Sequence, residues 1–282
     1  MTCTSPRLVN AISSPEYGMV VPCGRCLACR IRRVSEWSTR LECELDYYKD
    51  SCFVTLTYDD ENIPDGGSLK KKHLQDFFKR LRFHLVNIKI RYFSVGEYGD
   101  ETERPHYHCL IFGWYPDDVY IVGGDNKFRS SKIIDKLWTY GINHVGVVEP
   151  ESIKYVCGYV MKKEFGRRGL QRYGERMAPF NLQSKGIGKC YAIDNKERIL
   201  KDLTVKRKGQ DRGLPRYFVK VLNIPSEVLL EKAALKGFNV QEYHKSLGRS
   251  INDLVAMYKE DRIQRAKNIK ARLDLFNLRR EL

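Results

Sequence analysis

The stretch from Ser51 to Lys163 constrains the fold most, because short strand-like runs alternate there with amphipathic helices. β-branched and aromatic residues fill Phe53 to Tyr58, as is typical of a strand. Predicted strands cover 51–58, 89–98, 106–113 and 143–149, and predicted helices cover 30–48, 70–85, 132–139 and 150–163. This order predicts an α+β fold in which helices cross one face of an antiparallel sheet.

Four segments are predicted along the 282 residues. They are an N-terminal arm with a cysteine-rich segment and a helix (1–50), the α+β core (51–165), a basic loop-rich segment (166–225) and a helical C-terminal region (226–282). Within the first segment, residues 1–22 are expected to be irregular.

The charge balance indicates a polyanionic partner. There are 50 Lys and Arg against 35 Asp and Glu, a net charge of +15, which favours nucleic acid first and an anionic membrane second. No run approaches the ~18 apolar residues that span a bilayer, and Met1 to Pro15 lacks the apolar core of a signal peptide. We therefore expect a cytosolic protein, and the absence of a phosphate loop argues against a built-in helicase.

Two histidines two residues apart on a predicted strand suggest a metal site. His106 and His108 point to the same face, with Tyr107 on the other. If the preceding strand pairs as a hairpin, Glu97 lies across from them, and two imidazoles with one carboxylate leave positions open for Mg²⁺ or Mn²⁺. Alternatively, Glu97 is a solvated strand-end acid or a partner of Arg104.

Two tyrosines one helical turn apart suggest a nucleophile pair. Tyr155 and Tyr159 share a helix face, and Lys162 and Lys163 follow within one turn. Tyrosine attacks phosphodiesters when a cation favours the phenolate. The alternative is an ordinary aromatic pair packed on the sheet. Gly158 between them costs about 1 kcal/mol relative to alanine in a helix, and it would leave room for a substrate backbone.

A cysteine cluster opens the first helix. Cys23, Cys26 and Cys29 have the spacing of zinc ligands, which we favour over an iron–sulfur cluster. Cys3, Cys43 or a histidine would supply a fourth ligand; otherwise the cluster is a helix start with buried thiols. Small core residues are predicted at Cys52, Cys109, Cys157 and Cys190.

Three motifs in this order resemble those of the HUH endonucleases. The first is Phe53 to Tyr58, the second is Pro105 to His108 with Glu97 in the place of a third metal ligand, and the third is Tyr155 to Lys163. Within that family the chain is most similar to the replication-associated proteins of gokushoviruses, a branch of the microviruses, which are small single-stranded DNA bacteriophages. The closer match lies in residues 22–26, 57–64 and 96–108.

The resemblance implies an origin-nicking and strand-joining endonuclease that starts and ends rolling-circle replication through a 5′-phosphotyrosine intermediate. It makes the core (51–165) the endonuclease. The implied catalytic residues are Tyr155, Tyr159 and Lys162, and the implied ligands of Mg²⁺ or Mn²⁺ are Glu97, His106 and His108. It further implies viral origin DNA, single-stranded or supercoiled, as substrate, a host helicase and DNA polymerase as partners, and the host bacterium's cytoplasm as location.

Basic residues beyond the third motif would track a phosphate backbone. The predicted DNA-binding residues are Lys163, Arg167, Arg168 and Arg172.

Other functions fit fewer of these features. Two histidines and a glutamate also ligate iron in non-haem oxygenases, but that leaves the tyrosine pair and the charge unexplained. Relaxases and single-strand transposases share the nicking chemistry. A zinc-stabilised protein that coats single-stranded DNA would use the tyrosines only for stacking.

Overall fold

A computed structural model describes residues 3–11, 14–123, 128–162, 166–229, 231, 260, 263–264 and 266–271. The strands are β1 (Arg7–Ala11), β2 (Ser14–Val21), β3 (Ser51–Tyr58), β4 (Arg91–Tyr98), β5 (Pro105–Phe112), β6 (Val119–Val122), β7 (Phe128–Ser131), β8 (Gly141–Val147), β9 (Phe180–Gln183), β10 (Thr204–Arg207) and β11 (Gln210–Gly213). The helices are α1 (Leu27–Leu45), α2 (Lys71–Leu85), α3 (Lys132–Leu137), α4 (Pro150–Lys162), α5 (Arg167–Tyr173), α6 (Lys189–Asp194), α7 (Lys196–Asp202) and α8 (Arg216–Val221). None of the helices in these ranges is long and apolar enough to cross a membrane.

A five-stranded antiparallel sheet in the order β8-β3-β5-β4-β9 forms the centre of the fold. The predicted α+β class with helices packed on an antiparallel sheet is confirmed. The predicted hairpin is also present, as β4 and β5, and it pairs Glu97 directly with His106.

Helices cover both faces of this sheet, so the prediction of helices on one face was wrong. On one face, Leu56 and Ile111 pack with Phe77 of α2. On the other face, Leu110 of β5 packs with Leu41 of α1 and other residues of α1 and α4. The physical reason is that the central strands are apolar on both sides, since adjacent residues along β5 are buried on opposite faces.

Two segments predicted to lack regular structure contain helices and strands. Residues 7–21 form the β1–β2 hairpin instead of an irregular arm. Residues 166–225, predicted to be loop-rich, contain three short strands and four helices within the described chain, and β9 from this segment completes the central sheet beside β4. Four residues of β9 become a strand because the free edge of β4 offers them hydrogen-bond partners.

The predicted helical C-terminal region falls mostly outside the described residues. Those described there, at 226–229, 231, 260, 263–264 and 266–271, are helical. Three of the cysteines predicted to be core residues are buried, whereas Cys190 is exposed.

Two buried carboxylates of α1 connect the sheet to the elements that follow β9. Arg91 Nε lies 3.1 Å from Glu44 Oε1, and the amide of Gly188 donates to Glu44 Oε2 over 2.5 Å. Arg212 Nη1 donates to Glu42 Oε1 over 2.8 Å. Buried carboxylates need such partners, so these contacts fix α1 relative to the sheet.

Candidate active site

Adjacent strands of the sheet bring one glutamate and two histidines together. Glu97 Oε1 lies 3.0 Å from His106 Nε2 and 3.3 Å from His108 Nε2. The ligand atoms of all three residues lie within 4.8 Å of one another. The alternative pairing of Glu97 with Arg104 does not occur, because the Arg104 guanidinium donates to the carbonyl of Tyr58 instead.

The far side of each imidazole ring is held by a second contact. His106 Nδ1 donates to the carbonyl oxygen of Arg104 over 3.0 Å, since a carbonyl can only accept. His108 Nδ1 lies 3.0 Å from Thr55 Oγ1, across the β3–β5 pairing. Both rings therefore turn Nε2 towards Glu97, as metal-binding histidines do when the other nitrogen is fixed.

The Glu97 carboxylate is suited to bind a cation. It is only 4% exposed, and within the described chain its Oε2 is buried without a hydrogen-bond partner. Burial alone would raise the pKa of Glu97, but hydrogen bonds from His106 and His108 outweigh it and lower that pKa. A neutral His106 would point a lone pair at this carboxylate, so a proton or a metal ion must lie between them. Two imidazoles and a carboxylate thus fit a divalent cation.

Both tyrosines of α4 lie against the ring of His108. Tyr159 stacks on it with ring centroids 4.8 Å apart and an angle of 10° between the planes. Tyr155 meets the same ring edge-on at 5.3 Å, and the two tyrosine rings are 4.9 Å apart. Phe53 contacts the rings of His108 and Tyr155 from β3. Their spacing of four residues is what directs both tyrosines to one site.

The two tyrosines differ in exposure and acidity. Tyr155 is 37% exposed, whereas Tyr159 is 9% exposed. Burial, a hydrogen bond with Tyr155 and the negative charge of Glu97 raise the pKa of Tyr159 well above its usual range. Without a positive charge near Glu97, the Tyr159 phenolate is therefore disfavoured.

The basic residues predicted around the site are placed unequally. Arg172 of α5 lines a cleft together with Glu97 and Tyr159. Arg167 is exposed at the start of α5. Lys162 ends α4 and Arg168 lies in α5, but both side chains fall outside the described residues, as does Lys163 altogether.

Comparisons with known proteins identify the family. Residues 51–164 match the family model of Replication-associated protein ORF2. The chain is 33% identical over 212 residues to Replication-associated protein ORF2 of Spiroplasma virus 4, which covers 71% of this chain. It is 35% identical over 218 residues to Replication-associated protein VP4 of Bdellovibrio phage phiMH2K, which covers 73% of this chain. The chain belongs to the replication-associated protein family of small single-stranded DNA phages.

The alignments span part of each relative. They cover 65% of the Spiroplasma virus protein and 69% of the Bdellovibrio phage protein. Replication-associated protein ORF4 of Chlamydia phage 1 is 29% identical over 224 residues, which are 73% of this chain and 54% of that protein. No solved structure matches the chain. Membership of this family implies a role in replicating a phage genome.

A second group of metal-binding side chains lies at the N-terminus of α1 in this replication-associated protein. Cys3 joins the predicted Cys23, Cys26 and Cys29, and the four sulfur atoms lie within 4.8 Å of one another. Of the three alternatives for a fourth ligand, the geometry therefore selects Cys3.

Sequence reasoning missed three residues that hold or line the site. Thr55 fixes the ring of His108, Arg30 donates to the carbonyl of Met161 over 2.8 Å near the end of α4, and Arg176 lines the cleft beside Arg172. Thr55 had a signal, since the alternation of β3 places it on the face of His108 once those strands pair. Arg30 is 131 residues from its partner and had none.

Proposed function

We propose that this replication-associated protein is a metal-dependent endonuclease that nicks viral origin DNA and rejoins it, and so initiates and terminates rolling-circle replication. The observation that carries the proposal is the contact of both tyrosines with His108, one of three side chains suited to hold a divalent cation. The five-stranded antiparallel sheet with both motifs on one face supports an HUH endonuclease-like arrangement.

The proposed reaction exchanges one phosphoester bond for another. A tyrosine oxygen attacks the scissile phosphorus, its bond to the 3′ oxygen breaks, and the 3′ oxygen takes a proton to become the priming hydroxyl. The 5′ end stays linked to tyrosine, so the bond energy is conserved and rejoining needs no ATP. Mg²⁺ or Mn²⁺ held by Glu97, His106 and His108 would offset the charge that develops on the phosphate.

The second tyrosine serves the second transfer. After one round of synthesis it attacks the regenerated junction, and the 3′ hydroxyl of the displaced strand attacks the first phosphotyrosine to close a circle. Tyr155 and Tyr159 can share these steps because their rings are 4.9 Å apart on the same side of His108. We further propose that Lys162 favours the attacking phenolate as a nearby cation.

Binding of origin DNA is proposed to rest on the positive charge of the chain. The excess of 15 positive charges draws the phosphate backbone, and Arg172 extends that attraction into the cleft beside Glu97. Lys163, Arg167 and Arg168 are proposed to continue it. Unwinding and synthesis would fall to a host helicase and polymerase in the bacterial cytoplasm.

The test is a covalent adduct. Purified protein is mixed with supercoiled origin plasmid and Mn²⁺, denatured, and analysed for protein attached to DNA. We expect an adduct with the wild type, none with Tyr155→Phe/Tyr159→Phe or His106→Ala, and an undiminished adduct with the controls Tyr47→Phe and His84→Ala, whose side chains are exposed elsewhere.

The outcome also separates the alternatives. Phenylalanine keeps the stacking surface and removes the nucleophile, so a protein that only coats single-stranded DNA would bind the plasmid equally well as wild type and double variant. Binding without any adduct on single-stranded or supercoiled origin would refute the nicking proposal. Relaxases and single-strand transposases would also form an adduct, but family membership favours phage replication.

A further inference from the structure

The four-thiol group at the start of α1 has the dimensions of a metal site. Cys3 Sγ lies 3.5 Å from Cys23 Sγ and 3.7 Å from Cys26 Sγ, and Cys29 Sγ completes the group. Four thiolates at about 2.3 Å from a tetrahedral zinc ion stand about 3.8 Å apart. A disulfide would need sulfur atoms about 2.05 Å apart. The observed separations therefore match ligands around one ion.

The backbone around the thiols is arranged to stabilise thiolates. Gly24 adopts a φ of 71°, which turns the chain so that the amides of Arg25 and Cys26 point at Cys23 Sγ, at 3.4 and 3.2 Å. The amide of Cys23 donates to Cys3 Sγ over 3.3 Å. Amide donors favour charged over neutral sulfur, because hydrogen bonds to ionised acceptors are the stronger ones. The loop thus supports negative sulfur atoms that only a cation would neutralise.

We propose that Cys3, Cys23, Cys26 and Cys29 bind one Zn²⁺ as a closed structural site. Four protein ligands leave no position for water or substrate, which distinguishes this site from the one at Glu97. The ion ties Cys3 to the first turn of α1, with the β1–β2 hairpin forming the loop between Cys3 and Cys23.

The zinc site also positions the tyrosine helix. Arg30 follows Cys29 directly, and its guanidinium donates to the carbonyl of Met161, two residues beyond Tyr159. The last carbonyls of a helix lack partners within the helix, so a cation there holds its end. Releasing zinc would free the first turn of α1 and loosen that contact. This step of the inference rests on the proposed function wherever it concerns nicking.

Metal content tests the site independently of nicking. We expect one equivalent of zinc in the purified full-length protein, and a thiolate-to-metal absorption band when Co²⁺ replaces it. Cys26→Ser and Cys29→Ser should each lose the zinc, whereas Cys190→Ser, at an exposed cysteine outside the group, should keep it. Bound iron with sulfide, a disulfide among the four, or no metal in the wild type would overturn the proposal.

Hydrogen exchange tests the connection to α4. In Cys26→Ser we expect faster amide exchange in the last turn of α4 than in wild type, and in Arg30→Met the same acceleration with zinc retained. Unchanged exchange in both variants would overturn the positioning role. If these results hold but no variant forms a DNA adduct, the proposed nicking fails while the zinc site stands.

Discussion

Tyr155 and Tyr159 contact the same histidine from unlike surroundings, and this difference predicts which one attacks first. Tyr155 is accessible to DNA at 37% exposure, whereas Tyr159 is buried and its pKa is raised by burial and by Glu97. A raised pKa means that less phenolate is present at any given pH. Tyr155 is therefore the better initial nucleophile.

We expect Tyr155→Phe to abolish the first covalent adduct and Tyr159→Phe to retain it. The Tyr159 variant should instead fail to release closed single-stranded circles, because the second transfer lacks its nucleophile. Both are measured in one reaction that contains polymerase and helicase, by following adduct and circle separately. The reverse pattern would show that the buried tyrosine begins the reaction.

Thr55 predicts a second effect at the scale of a residue. Its hydroxyl lies 3.0 Å from His108 Nδ1 and holds the ring in position. Thr55→Val keeps the shape and removes that contact, so we expect Mn²⁺ affinity to fall about 10- to 100-fold, as for other side chains that orient a ligand. Calorimetric titration of the protein with Mn²⁺ measures it.

The matched control is Thr57→Val, two residues along the same face of β3. The structure shows no side-chain contact from Thr57 to either histidine, so its Mn²⁺ affinity should stay at the wild-type value. Equal affinities for all three proteins would show that Thr55 does not orient His108.

Individual ligands were easier to predict than the residues that hold them. The alternation of one strand put His106 and His108 on one face, and a hairpin was enough to add Glu97. Thr55 belongs to the site only through the pairing of β3 with β5, which are about fifty residues apart in the chain. The contact of Arg30 with α4 depends on helix packing, which local patterns do not specify.

At the scale of the element, α4 carries both tyrosines on a helix that contains a glycine. A methyl group added at Gly158 would meet no atom within 4 Å. Packing within the protein therefore does not require the glycine, and its cost of about 1 kcal/mol in a helix remains without a structural return.

We expect Gly158→Ala to raise the free energy of unfolding by about 1 kcal/mol, because alanine is the better helix former. If DNA approaches α4 at this position, the same variant should form adduct more slowly and show a higher KM for origin DNA. Thermal unfolding and adduct kinetics measure the two effects. A stabilised variant with unchanged kinetics would show that the glycine leaves no room that the substrate uses.

The elements themselves were predicted unevenly. β3 was predicted to the residue, and α2 and α4 to within one residue at each end, because their apolar spacing is regular. β9 was missed because Phe180 to Gln183 has too few residues for a pattern and follows a strongly basic stretch. Its conformation comes from the edge of β4, not from its own sequence.

At the scale of the whole molecule, α1 connects the parts of the fold that the sequence suggested were separate. Leu41 packs with the sheet and α4, whereas Cys43 packs with residues of α6 to α8. The buried Glu44 adds ion-pair and amide contacts to both sides. The division into segments at 50, 165 and 225 stays a prediction, but α1 belongs to the packing of more than one of them.

The position of β9 in the chain has a consequence for how the sheet is made. The family match ends at residue 164, yet the strand that pairs with β4 runs from Phe180 to Gln183. During synthesis, the unpaired amide and carbonyl groups of β4 stay open until residue 183 has left the ribosome. An open edge recruits strands from other chains. A fragment trimmed to the matched residues would keep that edge permanently, so it would tend to aggregate even with every proposed catalytic side chain present.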